Sequence, residues 1–352
     1  MSGPEPGRDP GGAAETGASV PPRGEIPPPA ARRSPAAGEI RIGISSCLLG
    51  EEVRYDGGHK RDRFITDILG EVVTFVPVCP EMGIGLGSPR ESMRLEEVAG
   101  EVRLLTARTR EDLTERMRSW AERRVAELGA MDLCGYILKK DSPSCGMERV
   151  KVYGRAGASP SRQGRGIFAA ALIETLEALP VEEEGRLQDP GLRENFFVRV
   201  FAYRRVKSLF AGEWRVGDLV SFHAAEKLLL RAHDPAGMRA LGRLVAEASR
   251  LPPSEVAETY RRGFLASLRK IATTKKTAGV LERSAGHLRG TIDDSSREEL
   301  HAVIDDYRGG LIPLVVPLTL IRHHARRHGI AGLAGQTFLE PHPKELMLRN
   351  HV

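Results

Sequence analysis

Apolar and polar positions change their rhythm twice along the chain. From residue 39 onward, short apolar runs alternate with amphipathic segments. "IRIGISSC" (40–47), "VVTFVPVC" (72–79) and "CGYIL" (134–138) have strand length, and "RVKVYG" (149–154) supplies a fourth run. Behind them, "EDLTERMRSWAERRVAELGA" (111–130) and "GIFAAALIETLEAL" (166–179) repeat their apolar positions at helical spacing. Strands that are apolar almost throughout belong to a parallel sheet covered on both faces. Residues 39–180 are therefore expected to form a small Rossmann-like α/β domain. Residues 181–196, "VEEEGRLQDPGLRENF", are polar and turn-rich and read as a linker. Beyond it the pattern is helical to the end, with plausible caps, so residues 197–352 are expected to be all-α. Residues 1–38 are Gly-, Pro- and Ala-rich with few large apolar groups, which predicts a disordered tail.

Composition narrows the class. With 41% hydrophobic and 28% charged residues the chain is ordinary for a globular protein. No apolar run approaches the ~20 residues that span a bilayer, and the N-terminus lacks a signal-type apolar core. A cytoplasmic protein without a membrane partner is the expectation. The net charge of +5 conceals an asymmetry: residues 39–199 carry 24 basic and 27 acidic side chains, residues 200–352 carry 24 and 16. The second half is where RNA, DNA or a nucleotide would be attracted, although excess charge also serves solubility. Within it, "RHHARRH" (322–328) is too basic to favour a cation despite its three histidines.

The chemistry turns on four cysteines, none of them in a C-x-x-C pair. Cys47 and Cys79 close the first two strands, and Cys145 lies in the loop after the third. Ligands of open parallel sheets bind outside the carboxyl ends of the strands, so these three thiols belong at one edge. Cys134 begins the third strand; about six residues at ~3.3 Å each place it roughly 20 Å away. Three convergent thiolates suit Zn²⁺ with a fourth ligand, or three irons of a 4Fe–4S cluster with the fourth iron open, or they are simply buried thiols. Glu81, two residues past Cys79, is a candidate general acid or base, and Ser142 a candidate hydroxyl donor. Arg54, Asp56, Lys60 and Arg90 are candidates for holding a phosphate or a base edge. Each of these also has an ordinary structural reading as a cap, a turn or a surface ion pair.

"GISSCLLGEEVRYDGGHK", "CPEMGIGLGSPRE" and "LKKDSPSCG" together resemble the thiouracil desulfidase (TudS-like) family over about residues 40–179. The resemblance implies a 4Fe–4S cluster on Cys47, Cys79 and Cys145, with the free iron taking the sulfur of a thiolated pyrimidine. It implies that Glu81 and Ser142 assist replacement of that sulfur by water without net redox change, and that Cys134 is no ligand. Residues 197–352, through "SFHAAEKLLLRAH" and "GQTFLEPHPKELMLR", look like a YbgA-type helical domain, for which the resemblance implies a fold and no activity. The expected function is cluster-dependent desulfuration of a thiolated base, nucleotide or RNA residue. The alternative is a nucleic-acid-binding or repair-associated protein whose cluster is structural or redox-sensing.

Overall fold

The structure, a computed structural model, describes residues 40–154 and 159–351. The tail expected over 1–38 lies outside the described residues. Strands run in chain order as β1 (Arg41–Ser45), β2 (Thr74–Val78), β3 (Met93–Val98), β4 (Glu101–Thr106), β5 (Leu133–Leu138), β6 (Val150–Tyr153), β7 (Ser161–Gly164) and β8 (Val181–Glu183). Helices of the first half are the single turn α1 (Pro80–Gly83), α2 (Thr114–Ala130) and α3 (Ile167–Thr175). Then follow α4 (Pro190–Leu209), α5 (Val216–His233), α6 (Pro235–Glu247), α7 (Pro253–Arg269), α8 (Thr274–Gly286), α9 (Asp294–Arg308) and α10 (Val315–Arg327).

The main sheet has the order β2-β1-β5-β8, and every pairing is parallel. Both its faces are covered, as continuously apolar strands require. On one face Leu133, Tyr136 and Leu138 meet Ala121, Val125 and Leu128 of α2 and Phe168 and Leu172 of α3. On the other, Ile42, Ile44 and Ile137 meet Phe196, Phe197 and Val200 of α4. The β1–β5 register slips between Arg41 and Ile42, leaving Cys134 as the extra residue of a bulge. That slip places Cys134 and Ile137 in the same apolar layer under α4.

Two expectations need correction. The run at 149–154 does form a strand, β6, but it belongs to a second sheet of order β4-β3-β6-β7. That sheet is built on the β3–β4 hairpin, whose two-residue turn holds Ala99 at φ 51° and Gly100 at φ 83°. Charged residues interrupt its apolar alternation, and the buried Glu96 is neutralised there by Arg94 and Arg110. Residues 181–196 are likewise no linker. They form β8, which pairs with β5, and the start of α4, capped by Asp189 Oδ1 accepting from Leu192 N at 2.8 Å with Pro190 in the first turn.

The second half is helical, with no strand among its described residues. Its core gathers α4 through α10 around Tyr260, Phe264, Leu229, Leu281 and Ile321. Within it Glu226, 1% exposed, is paired with Arg205 at 2.6 Å. Because Val198, Ala202 and Val206 belong to this core while Phe196, Phe197 and Val200 belong to the sheet's, α4 is shared by both halves. No helix among the described residues is long and apolar enough to cross a membrane.

Phe197→Ala should therefore lower the unfolding free energy by about 3–5 kcal/mol, the usual cost of emptying a buried aromatic site. Chemical denaturation checks this; a change within ~0.5 kcal/mol, the range of ordinary surface substitutions, would show that α4 does not hold the sheet.

Candidate active site

Each of three sheet strands ends in a loop that delivers one cysteine. After β1 the chain tightens into a 3₁₀ turn (Ser46–Leu49) carrying Cys47, whose carbonyl accepts from Lys60 N at 2.8 Å and so ties down the following loop. After β2, Cys79 sits at the N-cap of α1, with Pro80 and Glu81 in the first turn. After β5 the loop 139–146 folds over Ser142, whose Oγ accepts from Ser144 N at 3.2 Å and from Cys145 N at 3.0 Å. A hydroxyl has two lone pairs and one hydrogen. With both lone pairs engaged, Ser142 keeps its hydrogen to donate.

One cavity of about 400 Å³ is lined by Cys47, Cys79 and Cys145 together with Glu81, Ser142, Arg54, Lys60 and Arg90. Asp56 is not part of its wall; its carboxylate is engaged by Arg54 Nε at 3.3 Å and Gly58 N at 3.1 Å. Cys134 is also absent from the wall and lies in the core under α4. Glu81 is nearly buried, with Oε2 3.3 Å from Cys79 Sγ and 4.0 Å from Arg90 Nη2. Arg90 in turn is held by Val53 O at 2.9 Å and Gly87 O at 2.7 Å.

Several residues at the site carry no signal in the sequence pattern. Lys139 lines the cavity and pairs with Glu184. Glu184 also accepts from Lys140 N at 2.7 Å, and Glu183 accepts from Met147 N at 2.6 Å. Two carboxylates of β8 and its end thus grip the Cys145 loop from both sides. Their acidic run reads from sequence as part of a linker, because nothing in spacing shows that backbone amides await it. Tyr136 is fully buried beneath the site; its ring occupies the space a Cβ on Gly43 would need, 2.2 Å away.

Burial dominates the electrostatics of the three thiols. Burial pushes the Cys47 thiol up to about 11, with Lys139 pulling the other way. Burial, with the Glu81 charge adding to it, pushes Cys79 up to about 12. Cys145 is raised well above the usual thiol range by burial, and negative charge on Glu81, Cys47 or Cys79 raises it further. Three buried thiols in one another's field become thiolates only when positive charge arrives with a ligand. Beside them, Arg90 Nε, Tyr136 Oη and Ser144 Oγ are buried without hydrogen-bond partners. Among the described residues no three His, Cys, Asp or Glu side chains are gathered closely enough to hold a single metal ion. Three thiols on one wall, with the buried and unpaired Arg90 Nε on the same wall, fit thiolate ligation of a group that itself accepts hydrogen bonds.

Comparison with known proteins decides the family. The model of the 2-thiouracil desulfurase family matches residues 42–184, and that of DUF1722, a family of unknown function, matches residues 227–343. The chain is 33% identical over 135 residues to the uncharacterized protein YbbK of Bacillus subtilis (strain 168), covering 37% of this chain and 87% of that one. It is 30% identical over 158 residues to the uncharacterized protein YbgA of Escherichia coli (strain K12), covering 45% and 94%. The chain belongs to the 2-thiouracil desulfurase family, with a DUF1722 region behind. Among solved structures, one described as the 4Fe-4S-dependent thiouracil desulfidase TudS is 30% identical, with a TM-score of 0.36, covering 43% of this chain and 95% of that one. The desulfurase match, 42–184, takes in the three cavity cysteines, Glu81, Ser142 and the two carboxylates of the loop clamp.

Glu184→Ala should leave Lys140 N–H without its acceptor and the Lys139 ammonium with only Lys140 O, and cost about 1–3 kcal/mol of stability. Cys145, 4% exposed, should then react with an aromatic disulfide reagent under native conditions. Unchanged thiol reactivity and stability would show that the clamp is idle.

Proposed function

We propose that the chain is a desulfidase that removes sulfur from a thiolated pyrimidine, as base, nucleotide or RNA residue, on a 4Fe–4S cluster held by Cys47, Cys79 and Cys145. The observation that carries the reading is the single cavity that joins these three thiols to Glu81 and Ser142, in a chain of the 2-thiouracil desulfurase family. Cys47, Cys79 and Cys145 would hold the cluster, and bound there it would supply a Lewis acid that polarises a carbon–sulfur bond.

The protein's own residues supply the rest. Glu81, nearly buried with one oxygen toward Cys79 and Arg90, takes the proton of a water that attacks the thiocarbonyl carbon. Arg90 holds that carboxylate in place and is itself fixed by two carbonyls. Ser142 donates its free hydrogen to a ring atom or to the departing sulfur. Lys60 and Arg54, on the same wall, suit the phosphate of a nucleotide. Carbon exchanges a bond to sulfur for one to oxygen, hydrogen sulfide leaves, and no electrons are gained or lost.

Anaerobically reconstituted protein should hold about 4 iron per chain and release sulfide from 2-thiouracil or 4-thiouridine monophosphate. Zinc in place of iron, with no sulfide released from either, would reject the reading. Glu81→Gln should lower kcat by about 10²–10⁴-fold while leaving the iron content unchanged. Cys134→Ser should retain full iron, whereas serine at position 47, 79 or 145 should not; iron loss from the Cys134 variant would overturn the ligand assignment.

A further inference from the structure

The helical half holds a second cavity of about 370 Å³, between the first turns of α4 and α8, the last turn of α5 and the C-terminal segment. It shares no lining residue with the cysteine cavity. His233, 4% exposed, places Nδ1 2.6 Å from Lys270 O. A carbonyl only accepts, so Nδ1 carries the proton and Nε2 is left with its lone pair. Among the described residues that lone pair has no hydrogen-bond partner, and His233 lines the cavity. Beside it Asn195 gives its amide hydrogen to Leu268 O at 3.1 Å, which leaves its oxygen as a second free acceptor on the wall.

The wall carries two carboxylates, Asp189 and Glu194, and one guanidinium, Arg349. Arg349 Nε meets Glu194 Oε1 at 2.7 Å and Nη1 meets Phe338 O at 2.7 Å, leaving the Nη2 edge to donate. Asp189 caps α4. Burial lowers the His233 pKa, which keeps its imidazole neutral. The remaining wall is largely apolar, Phe338 and Leu229 included. With two carboxylates against one guanidinium the wall disfavours an anion, whereas a neutral molecule with its own donors and acceptors finds partners, and the volume suits one of nucleoside size.

We propose that this cavity binds a small neutral molecule that presents an N–H or O–H beside a carbonyl, the cyclic-amide class that includes nucleobases and nucleosides. Its N–H or O–H meets His233 Nε2 and the Asn195 oxygen, and its carbonyl meets Arg349. The inference is independent of the desulfidase reading, which survives its failure.

The test uses the full chain with isotope-labelled histidine, titrated with uracil, uridine and inorganic phosphate. Uracil or uridine should move the His233 ring resonance saturably, at concentrations up to about 1 mM. His233→Asn retains a donor for Lys270 O and deletes the Nε2 acceptor, so calorimetry should show binding weakened about tenfold, the worth of one hydrogen bond. A His233 resonance that neither compound moves, or that phosphate alone moves, would overturn the proposal. So would a folded His233→Asn variant with unchanged affinity. Should that variant not fold, the resonance in the parent protein decides.

Discussion

A parallel sheet sends the carboxyl ends of all its strands to one edge, and the site depends on that direction. β1, β2 and β5 are adjacent and parallel. The loops that leave them open onto one space, and cysteines far apart in sequence line it together. Had any of these strands run the other way, its thiol would lie at the far edge with the start of β5. The fourth strand, β8, extends the principle. Its parallel pairing with β5 brings Glu183 and Glu184 level with the loop after β5, where their carboxylates accept from Met147 and Lys140.

That placement has an electrostatic consequence. Thiols at an enclosed sheet edge are pushed toward their neutral form by burial, while ligation requires the thiolate. Lys139, Arg54 and Arg90 offset part of the cost, and Glu81 adds to it. A ligand that brought positive charge would favour the thiolates, and Arg90 on the cavity wall keeps a buried Nε without a partner. The Glu81 carboxylate in this place opposes thiolate formation on Cys47 and Cys79.

The strand ends were legible because Val- and Ile-rich runs stop at Cys47 and Cys79, and the separation of Cys134 because it opens its run rather than closing it. What stayed hidden depended on pairing. The β3–β4 hairpin breaks its alternation with charges such as Glu96, tolerable only because Arg94 and Arg110 meet it in space. The acidic run 182–184 reads as linker until the amides it accepts from are known. Asp56 was grouped with the ligand-holding residues by sequence proximity, yet it turns to Arg54 and Gly58 outside the wall. Turn chemistry at 181–196 masked a helix start: Asp189 and Pro190 are cap residues as readily as linker residues. The result is α4, whose successive residues enter two cores, so the α/β and helical halves share one helix rather than a tether.

Iron-edge anomalous diffraction from crystals of anaerobically purified protein tests the central claim most directly. It should show a four-iron cluster bonded to the sulfurs of Cys47, Cys79 and Cys145, with one iron facing the cavity and free of any protein ligand. A single-ion peak, or a cluster whose fourth iron is taken by Cys134 or another side chain, would contradict it.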